Sequence, residues 1–232
     1  MKPISASRLW FAVAGVAIGV WAVTALDAPS DVSFAWHMAE HLLLLFIVPL
    51  LLLLAHPFEP LARLAGKATT ATFVRATRPL HVLASAPFAL AFFAATMWAT
   101  HFTGLYEASL QHWPVHVAEH ALYIAAGTLF WLPVLAPPPL RPLPYPARLF
   151  YLAIALPQGA LVVMAMNSAR SPLYPHYIAI EGRRGALADQ ANAAALMWIV
   201  GGLIVFTALL VTLAVWAHRE GAGERASGTT AS

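Results

Sequence analysis

Six apolar runs, each long enough to cross about 30 Å of hydrocarbon, constrain this chain more than any other feature. They extend from Leu9 to Leu26, Phe34 to Ala55, Leu80 to Thr100, Trp113 to Leu135, Leu149 to Asn167, and Asn192 to Ala217. Charged residues make up only 10% of the sequence, against about a quarter in soluble chains. The expected fold is therefore all-α, a polytopic membrane helix bundle of six transmembrane helices. Residues 1–219 form one transmembrane domain, with spans at about 9–26, 34–55, 80–100, 113–135, 149–167 and 192–217. No remaining segment is large enough for a water-soluble domain, so any reaction belongs in or at the bilayer.

Positive residues stay on the cytoplasmic side of a membrane. Lys2, Arg8, Arg63, Lys67, Arg75, Arg78, Arg141, Arg148, Arg219 and Arg225 fall on one side, against Arg170, Arg183 and Arg184 on the other. This balance predicts both termini cytoplasmic. The same scatter builds no basic stripe, which excludes nucleic-acid binding. Lys2 and Arg8 before an apolar run also fit a signal peptide, but the run exceeds the usual signal core and reads as a retained helix. The Pro-rich stretch Ala136–Pro146 is a stiff inner connection. The tail, residues 220–232, is small and polar, and is expected to be a disordered cytoplasmic tail. Tryptophans near span ends, Trp131 among them, are expected as interfacial anchors.

With Cys 0, disulfides, thiolate sites and Cys nucleophiles are impossible, so a soft-metal site must use His and Met. Seven histidines (His37, His41, His101, His112, His116, His120, His176) lie toward the outer side. So do Met38, Met97, Met164, Met166 and Met197. Taken singly, a Met fills a core gap and an interfacial His meets water. Their joint placement in one leaflet points further.

The sharpest feature is a repeated pentad. His37-Met38-Ala39-Glu40-His41 opens the second span and His116-Val117-Ala118-Glu119-His120 opens the fourth. In each, spacings of three and four put His, Glu and His on one helical face, with the imidazoles about 6 Å apart along the axis. Ser33 or Asp31 can cap the second helix, and Pro114 suits the first turn of the fourth, leaving His112 outside it. Both helices run inward from the outer side, so the two polar faces share a depth and can converge. Ionisable groups within a span are costly and by default functional. A purely structural Glu and His network remains the rival, and duplication weakens it.

The candidate metal ligands are His37, His41, His116 and His120, with Glu40 and Glu119 orienting the rings and offsetting metal charge. His101 and Met97 end the third helix at the same level. Asp189 precedes the sixth helix, either as its cap or as a carboxylate above the histidine layer, with Met197 two turns below. Imidazole suits several metals whereas thioether selects chiefly Cu(I), so His with Met favours copper, with zinc open.

Trp36–Pro57 (WHMAEHLLLLFIVPLLLLLAHP), the second pentad leading into Phe130-Trp131-Leu132-Pro133, and Ala188-Asp189-Gln190 followed by Leu196-Met197-Trp198 together resemble the multi-helix CtaG family. These are integral-membrane cytochrome c oxidase assembly factors of the kind associated with Bacillus-type oxidases. The resemblance covers Trp36 to Gly202 and implies a non-enzymatic role in maturing the haem–copper oxidase by delivering copper to its active-site centre. Implied partners are the oxidase catalytic subunit, a periplasmic copper donor and the lipid bilayer, and the implied location is the bacterial inner membrane. A homo-oligomer stays open. Many members are longer, with a seventh helix, and carry Gly-Gly where this chain has Ala193-Ala194.

Two other functions compete. A b-type cytochrome would use two of the histidines as axial haem ligands, although the pentads hold more polarity than a haem pocket needs. An intramembrane zinc hydrolase would use H-x-x-E-H with Glu as general base, although it needs one motif rather than two.

Overall fold

The computed structural model describes residues 5–56, 85–137 and 142–228. Among these the chain is all-helical. Helix α1 is Ala6–Ala25 and the short α2 is Asp27–Val32. Helix α3 is Phe34–Leu54. Next come α4 (Ala86–Phe102), α5 (Leu105–Gln111), α6 (Trp113–Leu135) and α7 (Tyr145–Ser168). Helix α8 (Pro175–Leu196) continues through a π-helical turn, Met197–Gly201, into α9 (Gly202–Gly228). Among the described residues five helices are long and apolar enough to span a membrane, and a sixth span arises if α4 and α5, bent by 64°, count together.

The bundle holds a polar cluster within an otherwise apolar core, and its outer surface carries many large apolar side chains. His37, Glu40, His41 and Glu119 are all buried, while Trp10, Trp113, Phe150, Met164, Trp198 and Leu203 are each more than half exposed. Such a surface suits a lipid solvent, where apolar side chains face outward and buried polar ones must find partners within the protein. Helix α3 sits centrally: its first half packs on α8, its second half on α1, and α6 runs along it, with α4 on the other flank of α6 and α7 beside α9.

Two local devices fix the approach of α3 to α6. Pro49 lacks an N–H, so the Leu45 carbonyl loses its ordinary helical donor, and residues Leu43–Ile47 widen into a π turn. Gly127 of α6 lies against that carbonyl, where a Cβ would overlap the Leu45 oxygen and meet Pro49. One turn on, the Trp131 indole N–H donates to the Phe46 carbonyl at 2.9 Å. Trp131 is therefore a buried donor at 1% exposure rather than an interfacial anchor, its indole N–H finding an acceptor within the protein in a medium without water.

Helices α1, α3, α6 and α7 overlap the first, second, fourth and fifth apolar runs. The sixth differs. Its helix begins well before residue 192, and Asp189 and Gln190 lie inside α8 rather than before a helix. The apolar window saw only the hydrophobic portion, and the true break is Gly182, at φ 70°, a conformation glycine adopts without a Cβ penalty. The last helix runs on to Gly228, over most of the stretch expected as a disordered tail; extending a formed helix needs no new nucleation. Residues 229–232, residues 80–84 of the third expected span, residues 138–141 of the Pro-rich stretch, and Lys2, Arg63, Lys67, Arg75 and Arg78 lie outside the described residues.

Candidate metal centre

Each pentad folds as one turn of helix near the start of its span, for reasons visible in the residues before it. Ser33 caps α3 by accepting from the Trp36 N–H at 3.4 Å. In α6, Pro114 occupies the first turn and His112 is the N-cap, outside the helix. The two starts lie side by side, so the His rungs face each other. Ring centroids are 5.2 Å apart for His37 and His116, and 5.6 Å for His41 and His120. His37, His41, His116 and His120 can each offer a nitrogen such that all four lie within 4.8 Å of one another. Among the described residues, no other group of His, Cys, Asp or Glu is arranged this way.

These donors fit a metal ion. Imidazole binds zinc at about 2.0–2.1 Å, so ligand atoms on opposite sides of an ion are at most about 4 Å apart. Small side-chain rotations close the difference. His37 Nε2 and His41 Nε2 are already 3.0 Å apart, close to the spacing of adjacent ligands on one ion. Several buried atoms also lack partners: Glu40 Oε1, both Glu119 oxygens, His41 Nδ1, His116 Nε2 and His120 Nε2. Burying so many polar groups unsatisfied is unfavourable, and a cation among them would relieve most of it.

Both glutamates adjoin the rings of the opposite helix. Glu40 Oε1 lies 3.3 Å from His120 Nε2, and Glu119 Oε2 lies 4.0 Å from His41 Nε2. The first pair is close but misaligned for a hydrogen bond. Ser30 donates to the other Glu40 oxygen at 2.8 Å. Ser109, beside Glu119, gives its proton to the Tyr106 carbonyl. Two carboxylates against four imidazoles can balance a divalent charge within the bundle.

The sequence pattern of the cytochrome c oxidase caa3 assembly factors, the Caa3_CtaG family, matches residues 2–219. This chain belongs to that family. It is 25% identical over 201 residues to uncharacterized proteins of Mycobacterium bovis and Mycobacterium tuberculosis, with 81% of this chain and 30% of each relative covered. An uncharacterized protein of Mycobacterium leprae is 24% identical over 200 residues with the same coverage. The chain therefore spans about 30% of the length of these curated relatives. No solved structure matches it significantly.

Within this Caa3_CtaG chain, four of the expected ligands stand apart from the four histidines. Asp189 accepts from the Phe34 and Ala35 N–H groups and, at 3.2 Å, from Ser33 Oγ. It caps α3 from a neighbouring helix instead of capping its own or overhanging the histidines. Asp189→Ala should leave two helix-start donors unsatisfied and lower stability by about 1–2 kcal/mol. Thermal unfolding in detergent reads that loss, and metal per polypeptide should not change. His101, Met97 and Met197 line a separate cavity beside His41.

The pentads did not announce the aromatic and acidic groups around them. Tyr123 stacks on His41 with centroids 4.1 Å apart, and Tyr106 lies 4.8 Å from His37. Tyr177 donates to the Ser30 carbonyl at 2.9 Å, and its oxygen lies 3.4 Å from His37 Nδ1. That oxygen can accept from Nδ1–H and so leave His37 Nε2 free to bind metal. Asp27, half exposed, places Oδ1 3.9 Å from His116 Nδ1 at the edge of the cluster. Its position just after an apolar span was the available signal, although it reads equally well as an ordinary helix start.

Proposed function

We propose that this protein is a metallochaperone of the haem–copper oxidase, binding copper through His37, His41, His116 and His120 as cargo for the catalytic subunit. The observation that carries the reading is the convergence of both pentads on one point. Family membership supplies the link to cytochrome c oxidase, and the donor set supplies the metal class. Copper is favoured because the cavity that adjoins the cluster at His41 is lined by thioethers. With both termini cytoplasmic, the site would occupy the outer leaflet of the bacterial inner membrane. Asp27 would then face the periplasm, where a copper donor could dock.

Ion capture needs a free lone pair on each ring, and the Tyr177 oxygen, 3.4 Å from His37 Nδ1, can hold the proton on that nitrogen and leave Nε2 available. Glu40 and Glu119 offset the charge of the ion while leaving the imidazoles as its ligands. Release follows from exchange with ligands of the acceptor.

Four imidazoles around zinc would close its coordination shell, whereas catalytic zinc keeps a position for water; this disfavours the hydrolase. The haem alternative is disfavoured because Glu40 and Glu119 pack against the His pairs, a polar cluster where a porphyrin would need a flat apolar slot. Deletion of the gene should reduce active oxidase at limiting copper while oxidase transcripts persist. Wild-type protein should restore activity, and a variant lacking the four histidines should not. Full oxidase activity in the deletion strain at limiting copper would refute the proposal.

A further inference from the structure

The cavity beside the four histidines has a chemistry of its own. This partly open cavity of about 120 Å³ lies between α3, α4, α6, α7 and the π turn that leads into α9, and its walls include Met38, Met97, Met197, His101, His41 and Gln158. Met38 and Met97 are buried, at 1% and 5% exposure. Met164 is 66% exposed on the bundle surface, and Met166 is buried without lining the cavity. Three of the methionines thus share one cavity with two imidazoles.

His101 is set up as a ligand. Only 2% of it is exposed, and its Nε2 has no hydrogen-bond partner. Its Nδ1 lies 2.8 Å from the Met97 carbonyl, an acceptor only, so Nδ1 carries the proton. The neighbouring Thr100 hydroxyl donates to the Thr96 carbonyl at 2.9 Å and accepts from Tyr123 at 2.9 Å. With Nδ1 protonated, Nε2 bears the free lone pair. Gln158 adds an amide whose oxygen and nitrogen are both buried and unpartnered.

We propose that this cavity is a second metal site, holding a cuprous ion through His101 Nε2 and the thioethers of Met38, Met97 and Met197. Thioether donors select Cu(I) over harder ions, and an apolar enclosure suits a monovalent ion bound by neutral ligands. His41 joins the two sites. Its Nε2 lies 3.0 Å from His37 Nε2 in the cluster, its Nδ1 is buried and unpartnered, and the residue also lines the cavity. The ion can pass between the sites by ligand exchange at His41 and stays cuprous throughout, so no electron is transferred.

The second site rests on the copper reading for its physiological sense, but its test is separate. The full chain, purified in detergent under anaerobic conditions, is titrated with Cu(I) against a competing chelator, and copper-edge X-ray absorption is recorded. Wild type should bind two equivalents and show sulfur scatterers. Met97→Leu with Met197→Leu, a swap that keeps volume, should lose one equivalent and the sulfur shell while nitrogen-bound metal remains. His116→Ala with His120→Ala should keep the sulfur-bound equivalent, which separates failure of the four-histidine centre from failure of this one. Wild-type spectra without sulfur, or a sulfur shell that survives the double leucine change, would overturn the proposal. A tightly held lipid in the cavity with no sulfur-bound copper would do the same. Should the double variant fail to fold, the wild-type spectrum alone decides.

Discussion

Gly127→Ala is expected to lower the unfolding midpoint in detergent sharply and to strip the purified protein of metal in the same step. The added methyl would overlap the Leu45 carbonyl oxygen and press on Pro49. Backbone has little room to give, so the penalty should reach or exceed the upper end of the roughly 1–3 kcal/mol usual for overpacking. Moving α6 outward would also separate His116 and His120 from His37 and His41, and break the Trp131 bond to the Phe46 carbonyl. Gly19→Ala is the control. There the new atom meets Val48 at 3.6 Å, an ordinary contact, and the helix should gain up to about 1 kcal/mol. Unchanged metal content in Gly127→Ala would mean that the α3–α6 contact does not set the site.

The second large effect concerns the rungs. His37→Ala with His41→Ala removes two of the four imidazoles, both almost fully buried, and should weaken copper binding by more than the roughly 10–100-fold typical of changes to groups that only orient ligands. Glu40→Gln with Glu119→Gln keeps every ligand and removes two negative charges, so its loss should fall within that roughly 10–100-fold range. Competition titration of both variants checks the order. A larger loss from the glutamine pair would make the carboxylates ligands in their own right.

How the site was legible follows from what kind of signal each residue leaves. The pentads could be read because helical periodicity is local: spacings of three and four fix one face whatever the rest of the chain does. Their shared depth followed from hydropathy, since both open spans running in the same direction. Asp189 could not be placed this way. Its partners Phe34 and Ala35 are distant in sequence, and no local pattern tells a helix to be capped by another helix. Trp131 and Gly127 were equally silent, because their roles depend on two carbonyls of the π turn in a different span, those of Phe46 and Leu45. The division of His101, Met97 and Met197 from the four histidines is likewise a matter of packing. Hydropathy predicts one leaflet for all of them, and the bundle sets His101, Met97 and Met197 around a cavity on the far side of His41. Tyr106 and Tyr177 reach the cluster from a short helix and from the start of α8, where no periodic pattern marks them.

The most direct test of the central claim is metal analysis, paired with an optical spectrum, of the detergent-purified wild-type protein beside a variant with alanine at His37, His41, His116 and His120. The account predicts copper in the wild type, no haem bands, and loss of the nitrogen-bound copper in a variant that still inserts into the membrane. Equal nitrogen-bound copper in the two proteins, or a haem spectrum from the wild type, would contradict it.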